Sequence, residues 1–74
     1  MGKLKTLSGL EVCKILESHG FIKSRQRGSH IIMKKILPGS SITVPVPAHP
    51  EIKRGTLQSI IRQSKLPRQL FESN

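Results

Sequence analysis

Residues 21–47 read FIKSRQRGSHIIMKKILPGSSITVPVP, in which runs of β-branched and cationic side chains are cut by small residues and proline. Gly28 interrupts the first run. The pattern predicts a strand over about 21–26, a turn at Arg27-Gly28 and a second strand over about 29–36. Leu37-Pro38-Gly39-Ser40 is the next break, where proline and glycine supply preset turn geometry. A third strand is expected over 41–45, with Ile42 and Val44 on one face. Three strands joined by short turns make an antiparallel meander.

The meander needs an apolar layer against one face, and the flanking sequence supplies two amphipathic helices. Ser8 followed three positions later by Glu11 is a capping-box pattern, in which each side chain satisfies an orphan amide of the other residue. Val12, Ile15, Leu16 and His19 then recur at helical spacing, and Gly20 supplies a left-handed stop. These signals predict a helix over about 9–19. On the other side, Pro45, Pro47 and Pro50 oppose both helix and interior strand, so 46–54 is expected to be a stiff, extended connection. Gly55-Thr56 can open a second helix over about 56–65, with Leu57, Ile60, Ile61 and Ser64 as its stripe. Leu66-Pro67 ends it, and Leu70 and Phe71 can fold back onto the core. The expected class is α+β in the order α-β-β-β-α, a three-stranded antiparallel sheet with both helices on one face. The other face is left free to bind.

The 74 residues suit one domain spanning 1–74, since a chain of this length cannot support two hydrophobic cores. Thirteen bases against four acids give a formal charge of +9. Self-repulsion opposes compaction, so the excess points to a polyanionic or acidic partner, nucleic acid first. No stretch approaches the ~20 apolar residues of a membrane span, and the Lys-rich start has no signal-peptide core. The expected location is therefore the cytoplasm, with no membrane partner. Cys13 reads as a small buried hydrophobe on the first helix. His19, His30 and His49 are too scattered to form a zinc site with it, so no metal and no cofactor is expected.

Within 23–35, KSRQRGSHIIMKK, five Lys or Arg surround Gly28-Ser29-His30 without an acid. His30 follows two small residues that let a backbone approach closely, and Arg25, Arg27, Lys34 and Lys35 are cations that a phosphodiester would seek. In RNA the 2′-hydroxyl lies beside the scissile phosphate, so one well-placed base can turn the substrate's own oxygen into the nucleophile. Three roles fit His30 on these grounds: proton transfer, simple phosphate contact, or a surface histidine bonded to a backbone carbonyl. Gly28 and Ser29 fit a turn with a capping serine, or a hydroxyl that contacts phosphate and orients His30. His49 fits either a second proton-transfer group or a loop-stabilising residue. Lys53 and Arg54 precede a helix start, where Gly55 and Thr56 can offer free amides to an anion. Phe21 and Phe71, the only aromatics, have core positions, so base stacking is unsupported.

Four segments, SGLEVCKILESHGF (8–21), RQRGSHIIM (25–33), ITVPVPAH (42–49) and EIKRGTLQSIIRQSKL (51–66), together resemble the HicA toxin family of HicA-HicB toxin-antitoxin pairs. The resemblance implies a fold like the double-stranded RNA-binding domain. It also implies an endoribonuclease that cleaves mRNA, halts translation and is neutralised by a HicB antitoxin. The family's active histidine, in its GSH motif, falls on His30, with Gly28 and Ser29 as the small residues. A second motif, a histidine before a GTL helix start, falls on His49 and Gly55-Thr56-Leu57. Pro45 ahead of Pro47-Ala48-His49 makes this connection stiffer than the family's V-P-x-H form. Two other classes draw on the same features: a non-catalytic RNA-binding module, and a protein-only module whose acidic partner covers the His30 face.

Overall fold

The computed structural model describes residues 2–73. In chain order the elements are β1 (Lys3–Leu4), α1 (Gly9–Glu17), β2 (Ile22–Arg27), β3 (His30–Leu37), β4 (Ser40–Pro47), α2 (Arg54–Ser64), a 3₁₀ turn (Arg68–Phe71) and β5 (Glu72–Ser73). Strands β2, β3 and β4 form an antiparallel meander with β3 in the centre, and β1 pairs with β5 in a separate two-stranded ribbon.

Alternation along the strands sorts the sheet into two faces. Ile31 and Met33 of β3 and Val44 and Val46 of β4 are buried against Val12 and Leu16 of α1 and Leu57 and Ile60 of α2. Both helices therefore cover one face, and the fold is α+β and like the double-stranded RNA-binding domain. His30, Ile32, Lys34 and Ile36 point to the uncovered face, along with Thr43, Pro45 and Pro47 of β4.

The ends of the elements are set by local chemistry. Ser8 Oγ accepts from the Glu11 amide and Glu11 Oε1 accepts from the Ser8 amide, which completes the capping box. Helix α1 stops at Glu17 rather than 19: the Ser18 amide and hydroxyl both donate to the Lys14 carbonyl, and Gly20 turns the chain at φ 94°. His19 therefore lies in the turn, its Nδ1 3.0 Å from the Ile15 carbonyl oxygen. The first hairpin turn is Gly28-Ser29, with Gly28 at φ 57°, so β2 keeps Arg27 that the sequence reading had put in the turn.

Strand β4 continues to Pro47, correcting the expected end at 45 and the expected connection from 46. The reason is parity. The Ala48 amide donates to Ser29 on β3's side, so the nitrogens of residues 45 and 47 face away from β3, where a missing N–H costs no ladder bond. Helix α2 begins at Arg54, two residues early, with Lys53 as an extended N-cap that makes no side-chain cap bond. It ends on Lys65 at φ 61°, while buried Ser64 donates to the Ile61 carbonyl and accepts from the Leu66 amide. Phe71 is fully buried beneath the 3₁₀ turn, as its fold-back predicts. Among the described residues, no helix is long and apolar enough to cross a membrane.

Candidate nucleic-acid interface

The register of the meander builds the uncovered face row by row. Arg27, His30 and Pro47 form one row, Arg25, Ile32 and Pro45 the next, and Ile22, Lys34 and Thr43 a third. A register shift between Lys23 and Arg25 keeps Arg25 and Arg27 on this face together with Ile22. Arg27, His30, Ile32 and Pro45 line an open concavity of about 480 Å³. None of the four glutamates belongs to these strands, and the one ion pair among the described residues, Arg68 with Glu72, is elsewhere. The positive field on this face is not neutralised locally.

His30 is exposed at the first position of β3, and no side-chain hydrogen bond among the described residues engages its ring. Of the roles open to it from sequence, the bonded structural histidine is the one this geometry does not display. The turn before it is held in two places: Gln26 Nε2 donates to the Gly28 carbonyl at 3.2 Å, and the Ala48 amide donates to the Ser29 carbonyl at 2.6 Å. Gly28 has open space where a Cβ would sit, so its requirement is the positive φ and not room.

His49 is exposed on the connection after β4 and borders a second concavity of about 270 Å³ with Pro47, Glu51, Lys53 and Thr56. Pro47 pairs with His30 and also lines the His49 hollow, so the two histidines flank one strand end. Arg54 lies at the first turn of α2 but lines a different hollow, with Leu4, Thr6 and Glu51. Lys34 shares His30's face, four residues or roughly 13 Å along the strand. Lys35 does not: it points to the helix side, its Nζ 5.9 Å from the centre of the Phe21 ring. The structure thus puts Arg25, Arg27 and Lys34 on His30's face, with Gly28 and Ser29 in the turn before it, and sends Lys35 to the helix side.

Three contributors were not read from sequence. Gly9 donates its amide to the His49 carbonyl at 2.9 Å, and a Cβ at Gly9 would collide with the Pro47 carbonyl oxygen. The signal available was a glycine at N1 of a helix, directly after a strong cap. Pro45 and Ile32 form apolar walls of the His30 hollow, which strand parity could have placed. Cys13 is buried on α1, and burial pushes its thiol pKa up, away from nucleophilic use.

A family model described as the HicA toxin of bacterial toxin-antitoxin systems matches residues 9–66. The chain belongs to the HicA toxin family. No curated protein matches it. The span matched to HicA begins at Gly9, takes in the sheet, His30, His49 and both helices, and ends before the 3₁₀ turn. Membership gives the protein the toxin's part in a HicA toxin-antitoxin pairing.

Proposed function

We propose that this HicA toxin is an endoribonuclease that cleaves mRNA without a metal ion, using His30 as acid or base, and that a HicB antitoxin neutralises it. The observation that carries the reading is His30 itself: an exposed imidazole whose ring nitrogens have no side-chain partner among the described residues, beside Arg27 on a cationic face whose strands carry no acid. A phosphodiester drawn onto that face by Arg25, Arg27 and Lys34 meets the imidazole at the rim of the hollow.

Cleavage of this kind needs three things: removal of the 2′-hydroxyl proton, protonation of the departing 5′ oxygen, and stabilisation of the charge that builds on the phosphorus oxygens. His30 serves one of the proton transfers. Arg27 is the nearest cation in register to stabilise the charge, and Ser29 Oγ can donate to a phosphate oxygen. The attacking 2′ oxygen bonds to phosphorus as the bond to the 5′ oxygen breaks, which leaves a 2′,3′-cyclic phosphate and a 5′-hydroxyl. The internal nucleophile makes a metal-bound water unnecessary. His49, across Pro47, is the candidate for the second proton transfer, and Lys53 and Arg54 extend phosphate contact toward α2. An mRNA substrate places the activity in the cytoplasm, with the whole chain acting as one RNA-cleaving domain.

The test is digestion of RNA by the purified protein in excess EDTA, beside His30→Ala, with the cut ends mapped. Wild type is expected to leave cyclic phosphate ends, and the variant to bind RNA but cut it at least about a hundredfold more slowly. Equal cutting by the variant would remove His30 from the chemistry. Binding without cutting by wild type would leave an RNA-binding module of the same fold.

A further inference from the structure

The uncovered face carries a feature that RNA does not explain. Ile22 and Ile36 are 60% and 66% exposed. Ile22 pairs with Lys34, and Ile36 stands one pleat further along β3 on the same face, so the two isoleucines are diagonal neighbours. Such neighbours sit about 7–8 Å apart. Strand propensity does not require isoleucine here, because Thr43, across from Lys34 on the same exposed face, meets it with a polar side chain.

Isoleucine offers a base no π-face to stack on, and a phosphate gains nothing from it. A protein surface does gain, by removing both side chains from water. We propose that Ile22 and Ile36 form the anchor for the protein partner that silences the toxin, a surface with apolar side chains ringed by Asp and Glu. Charge calls for the acidic ring: Lys34 stands beside both isoleucines in register, Arg25 lies in the next row, and no acid on these strands competes for them. Ile36 is six residues, or roughly 20 Å, from His30 on the same strand. A partner held at that end and lying along the sheet covers the His30 hollow without needing a contact to the imidazole. A second copy of the chain is a poor occupant, since each copy carries +9.

This rests on neutralisation by HicB, so the probe is purified HicB antitoxin titrated calorimetrically into wild type and into the double variant Ile22→Thr/Ile36→Thr. Threonine keeps β-branching at both exposed positions, and a matched melting temperature confirms the fold. The double variant is expected to bind HicB at least about tenfold more weakly and to cleave RNA at the wild-type rate. Equal affinity would overturn the anchor while leaving neutralisation standing. Failure of wild type to bind HicB would overturn both. Self-association of wild type that the substitutions abolish would assign the patch to a second copy and overturn it as well.

Discussion

The Ala48 amide donates to the Ser29 carbonyl at 2.6 Å, which ties the turn before His30 to the connection before His49. The Gly9 amide holds the same connection from the helix side, through the His49 carbonyl at 2.9 Å. Three segments distant in sequence therefore meet at the end of β4. Contacts made at 9 and 48 thus brace the strand end beside His30.

Gly9→Ala tests that dependence. The new methyl cannot fit against the Pro47 carbonyl, so the strand end that pairs with His30 must move or α1 must lift. Overpacking of this kind costs about 1–3 kcal/mol. Thermal unfolding is expected to show the loss, and cleavage by the folded fraction at saturating RNA should slow while half-saturation stays near wild type. A variant with wild-type turnover would show that the strand end tolerates displacement.

Arg27→Ala and Lys34→Ala should each weaken RNA binding and reduce the slope of log affinity against log salt by about one, as loss of one phosphate contact does. Lys35→Ala should leave the slope as it is, because its ammonium lies over Phe21 on the helix side. Filter binding across a salt series separates the two behaviours. A reduced slope for Lys35→Ala would mean RNA reaches round the edge of the sheet.

The Lys34-Lys35 pair also shows where the sequence was and was not legible. Periodicity located both helices and all three meander strands, because each buries a stripe whose spacing follows from backbone geometry. Grouping Lys34 and Lys35 as one cationic run overlooked the alternation that had already placed Ile42 and Val44 on one face. Prolines at 45 and 47 look like breakers for a related reason, yet their shared parity puts both nitrogens on the outer edge of β4. The β1-β5 ribbon pairs Lys3 with Ser73 and Leu4 with Glu72. Two-residue strands that far apart leave no periodic trace. The exposure of the His30 ring was equally invisible, since it depends on which partners the fold fails to bring near it.

The capping box gives α1 a pH signature. Ser8 holds the Glu11 carboxyl below its ordinary value of 4.5, first through its backbone amide and then through its side chain, with Lys14 and Lys5 adding to the effect. A carboxylate whose pKa is lower folded than unfolded stabilises the fold above its unfolded value. That contribution fades as pH falls through the unfolded value and is gone below the folded one. Melting temperatures of wild type and Glu11→Gln are expected to differ at pH 7 and to converge as the pH falls below about 4. Ser8→Ala should lower stability by about 1 kcal/mol at neutral pH. A constant gap between wild type and Glu11→Gln down to pH 2 would mean the carboxylate charge adds nothing.

Phe71 lies beyond the span that matches the HicA family, yet it is fully buried in the one hydrophobic core. Its 3₁₀ turn feeds β5, and the Lys5 amide donates to the Phe71 carbonyl at 2.8 Å, so the two ends of the described chain close over the core together. Emptying such a site costs about 3–5 kcal/mol, and a domain of this size holds only about that much in total. Phe71→Ala is therefore expected to leave the protein largely unfolded at 37 °C and inactive on RNA. Phe71→Leu, which keeps most of the volume, should fold and cut. Circular dichroism melts of the two variants check this, and a well-folded Phe71→Ala would show that the core stands without the Phe71 ring.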